Sequence, residues 1–364
     1  MAFATRLEKR DLEDLVSPKL KLFLSVDVVG STAFKQSQPR NGHGGGRNSG
    51  GPANWLTFLS SFYRDFGNRI RLHLGRLLEH TGIADGNPDE RVGTPHLWKA
   101  LGDELVFVIE LKHENHLPVI LDAFRHAINE EIDLAKAGDH PLPISLKGSA
   151  WLAGFPVCNA EIPMVSDLSS GPPAGTVTGF DYAGPTIDIG FRISKLASPH
   201  RLIVSAEVAY LLTVARGGVE IVHHLHPDRP AELKGILGGE EYPVFWIDCF
   251  REVNREPWLD RIKHKSYTAD QEGLCKGLDA LSPKADREGI RTFLEAWFER
   301  HSDILLKPFV PREANLKSLP ATYGEKLELV QAELRDLYRG DEEDQGTGDP
   351  TANQLIEDGA DKVR

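Results

Sequence analysis

Apolar and β-branched residues dominate 21–29 (KLFLSVDVV), which predicts a buried strand that ends at Gly30. The glycine-rich stretch from Gln36 to Pro52 has no hydrophobic period and reads as a long loop. From Asn54 to His80, Leu56, Leu59, Phe62, Phe66, Ile70, Leu74 and Leu77 recur at helical spacing, with Asn54 as N-cap and Gly82 near the stop. Trp55, Phe58, Phe62 and Phe66 share this spacing and mark a buried helix face rather than a platform for stacking bases. The pattern then predicts a hairpin, His96–Leu101 and Leu105–Ile109, turning at Gly102-Asp103.

A helix over 115–137, a strand over 143–153, a Pro/Gly/Ser-rich loop over 155–177 and a strand near 176–182 follow. Pro185 opens a helix over 185–197, and Arg201–Val204 forms another strand. A short helix and an antiparallel pair ending in Val244–Ile247 complete this part. Helices alternate with strands, yet several connections are too short for parallel crossovers. The expected class is therefore α+β, of the ferredoxin-like kind. An N-terminal segment 1–20, a main domain 21–250, a helical appendage 251–339 with helices near Arg287–His301 and Glu325–Tyr338, and a disordered acidic tail 340–364 make up the expected organisation.

Charge sharpens this picture. The chain of 364 residues carries a formal net charge of −12. Eight acidic residues against Lys362 and Arg364 in 341–364 account for half of it, a composition that cannot bury enough apolar surface to order itself. The rest is still acidic, so a nucleic-acid partner is not expected, and an anionic ligand would need locally placed cations or metal ions. No apolar run approaches the roughly 18–20 residues that span a bilayer, and MAFATRLEKRDLEDL is too charged for a signal-peptide core. The expectation is a cytoplasmic protein without a membrane partner. Cys158, Cys249 and Cys275 are far apart and read as reduced thiols.

Three stretches hold chemistry. Asp27 interrupts an apolar strand, where a lone buried carboxylate is costly unless a cation, a metal or hydrogen-bond donors face it; the alternative is an Asx-turn at the strand end. The turn Val28–Thr32 could gather backbone N–H groups around an anion. Asp103 behind Gly102 either satisfies turn geometry or joins a second carboxylate at a metal site. Asp188 and Arg192 lie four apart on one helix face, which by itself is the spacing of a surface ion pair. His223, His224 and His226 lack a partner that would complete a ligand set, and Gly42–Gly46 is not followed by the Lys-Ser/Thr of a phosphate loop.

Taken in order, FLSVDVVGST, KALGDELVF and FDYAGPTIDIGFRISKLA, followed by LIVSAEVAYLL and AELKG, resemble the core motifs of class III nucleotidyl cyclases over about 20–249. The resemblance implies two divalent metal ions, Mn²⁺ or Mg²⁺, held by Asp27, Val28 and Asp103. It implies a transition-state arginine at Arg192, with Asp188 where the family usually has a ribose-orienting Asn. Lys99 and Asp181 fall on the base-reading positions, Lys234 on a triphosphate-contacting one, and Gly30, Ser31 and Thr32 on the phosphate turn. It also implies a homodimer with composite sites, the acidic pair and the Arg192 helix lying on opposite walls of the dimer cleft.

Lys99 donates and Asp181 accepts, a pair that suits adenine, cytosine or, shifted by one atom, uracil. The insertions 36–53 and 82–95, and the lack of a sensor or membrane domain, look more like the bacterial Pycsar anti-phage pyrimidine cyclases. The expected reaction is UTP to cyclic UMP, whose product acts on a separate effector protein. A cytidylate cyclase, an adenylate cyclase, an inactive nucleotide-binding module and a phosphodiester hydrolase are the alternatives.

Overall fold

The computed structural model describes residues 9–32, 54–82, 91–137, 144–165, 177–199, 201–216, 225–249, 287–311 and 321–339. In chain order these form α1 (Lys9–Leu15), β1 (Lys19–Val29), α2 (Asn54–Thr81), β2 (His96–Leu101), β3 (Glu104–Glu110), α3 (His116–Ala137) and β4 (Ser145–Phe155). There follow β5 (Ala160–Val165), β6 (Val177–Ala183), α4 (Pro185–Ile193), β7 (Arg201–Val204), α5 (Ala206–Val214), β8 (Leu225–Pro227), β9 (Ala231–Glu232), β10 (Glu241–Tyr242) and β11 (Phe245–Asp248). Helices α6 (Arg287–Arg300) and α7 (Ala321–Arg339) come last. Among the described residues no helix is long and apolar enough to cross a membrane.

Two compact units result. One is drawn from Pro18–Ile162 and Asp181–Leu319, the other from Met1–Ser17, Pro163–Phe180 and Pro320–Arg364. In the smaller unit, buried Leu12, Leu15 and Val16 pack with Val177, Phe180, Leu334 and Tyr338. The Gln331 amide donates to the Val16 carbonyl at 2.9 Å.

The larger unit is built on a seven-stranded sheet of order β2-β3-β1-β4-β7-β11-β8. Its first four strands with α2 and α3 make the βαββαβ arrangement of the ferredoxin-like fold, antiparallel throughout. β7 adds parallel to β4, and β11 antiparallel to β7. The α+β expectation from alternating patterns and short connections is therefore met. Strand β1 is central, and its period of two separates the faces. Leu20, Leu22, Leu24, Val26 and Val28 are buried on the face that also holds Phe107, which packs on Phe66 of α2. Phe23, Ser25 and Asp27 point to the other face, where Phe23 stacks on Trp151 of β4.

Several expectations need correction. The loop expected over 155–177 contains β5, paired with β6, because Ala160–Val165 is an extended edge segment without a strong apolar alternation. The helix expected to 197 ends at Ile193 and tightens into a single 3-10 turn, Ser194–Leu196. On α2 the buried stripe is Phe58, Phe62, Phe66, Ile70 and Leu74, and Leu56 faces solvent at 46% exposure. Residues 33–53, residues 83–90 of the second insertion, His223, His224, Cys275 and the acidic tail lie outside the described residues. His226, which is described, stacks on Trp246 at 4.4 Å.

Helix α4 is held close to the sheet by a missing side chain. A Cβ on Gly190 would stand 2.2 Å from the Trp151 indole. The helix enters through Gly184 (φ 142), with Pro185 in the first turn, where its absent N–H costs nothing. Asn159 Oδ1 accepts from the Thr186 N–H and hydroxyl at 3.2 and 2.9 Å and anchors that turn. Gly190→Ala should lower stability by about 1–3 kcal/mol in denaturant titration, because the indole has no room to move in a close-packed face.

Helix α5 buries a carboxyl. Glu207 accepts from the Tyr242 hydroxyl at 3.0 Å, and its Oε1 has no hydrogen-bond partner among the described residues. Burial pushes its pKa up, against smaller opposing contributions from backbone, Ser205 and Tyr242 hydrogen bonds. A folded-state pKa above the unfolded value means that this group weakens the fold as pH rises from the ordinary carboxyl range through the raised one. The stability of Glu207→Gln relative to the natural chain should therefore increase as pH rises above the ordinary carboxyl range, read from paired thermal melts.

Candidate active site

The polar end of the odd face of β1 opens a cleft of about 440 Å³ lined by Ser25, Asp27, Glu104, Lys147, Ser149, Arg192, Lys195 and Lys234. Register explains who meets whom. Asp27 pairs with Glu104 of β3 on one side and Lys147 of β4 on the other, so all three side chains leave the same face. Lys147 Nζ lies 3.0 Å from Asp27 Oδ2, with the side chains 26% and 27% exposed. This ammonium is what faces the strand carboxylate, and the Asx-turn alternative is not what the chain uses.

Glu104 takes a 2.6 Å hydrogen bond from the Ser25 hydroxyl. Burial raises its pKa; the Ser25 bond and Lys147 oppose this, while the charges of Asp27 and Asp103 add to it. Asp103 sits in the turn behind Gly102 (φ 74), and its carbonyl accepts from the Val28 N–H at 3.4 Å. The Tyr63 hydroxyl of α2 donates to the Gly102 carbonyl and ties the hairpin tip to the helix. Asp103 does not line the cleft, although its charge is felt at Glu104. Gly30 closes β1 with φ 71, followed by buried Ser31 and exposed Thr32.

Arg192 comes from α4. Its Nε donates to the Lys234 carbonyl at 2.7 Å and Nη1 to the Asp188 carbonyl at 3.0 Å. Two of five guanidinium N–H donors thus fix the group on the protein, and among the described residues the others have no hydrogen-bond acceptor. The Asp188 carboxylate is 63% exposed and only 3.9 Å from Nη1, so the pair is a weak surface contact and the carboxylate is free to turn elsewhere. Arg192 and Asp27 line one cleft within a single chain.

Lys99 and Asp181 meet directly, 2.8 Å apart, although 82 residues of sequence separate them. The Trp98 indole N–H donates to Asp181 Oδ1 at 3.1 Å, and the Tyr182 N–H donates to the same oxygen at 2.9 Å. Partial burial works to raise the Asp181 pKa, but these bonds and the Lys99 charge outweigh it and hold the carboxyl below the usual range. Trp98 packs edge-on against Phe23 and Tyr182, at 5.2 and 5.1 Å, and against Phe191, at 5.9 Å, which itself lines the cleft. Behind them, buried Glu161 is paired with Lys19 at 2.9 Å and with Lys21, which also reaches the Tyr182 hydroxyl.

Glu104, Lys147, Ser25, Ser149 and Trp98 escaped the sequence reading. Strand alternation places Ser25 with Asp27, and Lys147 with Ser149, on one face each, but only pairing shows that these faces coincide. Among the described residues no three His, Cys, Asp or Glu side chains converge as a ready metal cage.

No family model and no curated protein matches this chain. Among solved structures it is similar to the adenylyl cyclase CyaB from P. aeruginosa, at 10% identity over 66% of this chain and 97% of that one, with a TM-score of 0.41. It is similar to the guanylyl cyclase Cya2, at 10% identity, 66% and 97% coverage and a TM-score of 0.39. A third is the guanylate cyclase domain of RhGC from Catenaria anguillulae in complex with GTP, at 11% identity, 64% and 97% coverage and a TM-score of 0.37.

Proposed function

We propose that this chain is a nucleotidyl cyclase, converting a nucleoside triphosphate to the 3′,5′-cyclic monophosphate and pyrophosphate. The observation that carries the reading is one cleft lined by the carboxylates of Asp27 and Glu104 together with the cations of Arg192, Lys195 and Lys234, a surface that carries both halves of a site which a second copy would share. Carboxylates suit divalent ions, and the cations suit a polyphosphate. Mg²⁺ or Mn²⁺ would be held first by Asp27, which lines the cleft; Asp103, which does not line it, and the Val28 carbonyl would have to reach the ion from the adjoining turn and strand, and such ions commonly take only one or two carboxylates and complete their shell with substrate phosphates. When bound, they would polarise the α-phosphate and lower the pKa of the ribose 3′-hydroxyl.

The chain's own groups have distinct tasks in this reading. The 3′-oxygen bonds to the α-phosphorus, the bond to the bridging oxygen breaks, pyrophosphate leaves, and the hydroxyl proton goes to solvent. Arg192, fixed by two carbonyls, points its remaining N–H groups at the charge that develops on the bridging oxygen. Lys234 and Lys195 meet the outer phosphates, and the turn of Gly30, Ser31 and Thr32, which follows Asp27 but is not part of the cleft lining, would offer them its backbone N–H groups. Asp188 accepts from a ribose hydroxyl in place of the amide expected there. Lys99 donates to the base and Asp181 accepts from it.

The base is proposed to be uracil, with cytosine next and adenine after. Support comes from the sequence resemblance to pyrimidine cyclases and from Trp98, whose indole fills space beside the Lys99–Asp181 pair and favours a single ring. In this setting the cyclic nucleotide is a messenger for a separate effector in anti-phage defence. The active form is a homodimer in which each chain completes the other's site.

Incubation with all four triphosphates and Mn²⁺, followed by mass spectrometry, should give cyclic UMP as the main product. Cyclic AMP as the main product would overturn the pyrimidine assignment, and no cyclic product from any triphosphate would overturn the cyclase itself. Asp27→Asn and Arg192→Ala should each lose activity by two or more orders of magnitude, the scale for a charge-stabilising donor. Mixing the two inactive variants should restore roughly a quarter of wild-type activity if sites are shared across a two-fold dimer. No recovery would place the whole site within one chain.

A further inference from the structure

Strand β4 places Lys147 directly opposite the acidic end of β1. Its ammonium, 3.0 Å from Asp27 Oδ2, is the cation facing a carboxylate that has Glu104 as its other cross-strand neighbour. A divalent ion on Asp27 and an ammonium at the same oxygen repel one another across a few ångströms. The lysine stem is long and turns easily about its bonds.

Two residues along the same strand face, Ser149 is 1% exposed. Its hydroxyl has no hydrogen-bond partner among the described residues, yet it lines the cleft with Lys147, Arg192 and Lys195. A buried hydroxyl left without a partner is costly, and this one lines the same cleft as three cations, a combination that suits an oxygen-rich anion.

We propose that Lys147 is an exchangeable counter-ion: it neutralises Asp27 while the cleft is empty, yields that carboxylate to a divalent ion, and then binds a substrate phosphate beside the Ser149 hydroxyl. The proposal rests on the cyclase reading, since it needs Asp27 to hold a metal ion. It makes Lys147 a competitor of the ion and a partner of the polyphosphate, so one substitution should move the two affinities in opposite directions.

The test uses the full chain without nucleotide, titrated with Mn²⁺ while free aquo-Mn²⁺ is followed by electron paramagnetic resonance. Lys147→Met should bind Mn²⁺ about five- to tenfold more tightly than the natural chain, the scale of one lost competing ion pair. Lys147→Arg, which keeps the charge, should bind it about as the natural chain does, and Asp27→Asn should lose binding. With Mn²⁺ saturating, calorimetric titration with tripolyphosphate should show Lys147→Met binding about tenfold more weakly. Lys147→Gln serves as a second neutral variant, with near-ultraviolet circular dichroism confirming the fold of each.

Unchanged or weaker Mn²⁺ binding by both neutral variants, with Asp27→Asn still deficient, would overturn the exchange and leave the cyclase reading standing. Unchanged tripolyphosphate binding would overturn the phosphate role. Absence of Mn²⁺ binding in every variant would remove the metal from Asp27, and the proposal with it.

Discussion

The pairing of β1 with β4 governs this molecule. It runs without interruption from Lys19–Phe155 to Val29–Ser145, and a slip of one residue would send Asp27 into the helix-covered face among Leu24, Val26 and Phe107. Both faces are constrained, one by the α2 and α3 apolar stripes and the other by Phe23 stacked on Trp151. The register is therefore specified twice, and the polar end of the strand opens on the cleft as a consequence.

The opposite wall depends on a close approach. Gly190 lets α4 lie on the Trp151 indole, and the same ring stacks on Phe23 of β1, so helix and central strand are locked through one aromatic group. Arg192 follows two residues later and takes its place over the cleft, held by the Lys234 and Asp188 carbonyls. Helix packing and two carbonyl hydrogen bonds set its position, since its closest carboxylate among the described residues is the weak contact at 3.9 Å. The Lys99–Asp181 pair is fixed in the same way, by Trp98 and Tyr182 packed around Phe23.

The site thus combines two electrostatic halves. Asp27 and Glu104 supply negative charge from adjacent strands, and Lys147, Arg192, Lys195 and Lys234 supply positive charge around them. A chain of net charge −12 offers no long-range attraction to an anion, so any anionic ligand of this cleft would rely on these local cations. Removing any one of them shifts a balance among neighbours and not an isolated contact.

Most strands and helices were legible because burial imposes a period of 2 or 3.6 on apolar residues, and the hairpin tip at Gly102-Asp103 because a positive φ favours glycine. β5 was not, because an edge strand such as Ala160–Val165 has little apolar alternation to reveal it. Asp27 stood out as a charge within an apolar strand, Asp103 by its turn and Asp188 with Arg192 by their spacing, whereas Lys99 and Asp181 were marked only by the resemblance to nucleotidyl cyclases. Glu104, Lys147 and Ser149 did not, since each looks like an ordinary polar residue of a half-exposed strand. What a local pattern determines is the element and the face; which residue of another element stands opposite, and which hydroxyl is left buried without a partner, is decided by strand register and helix docking, contacts between positions distant in sequence that no local period encodes.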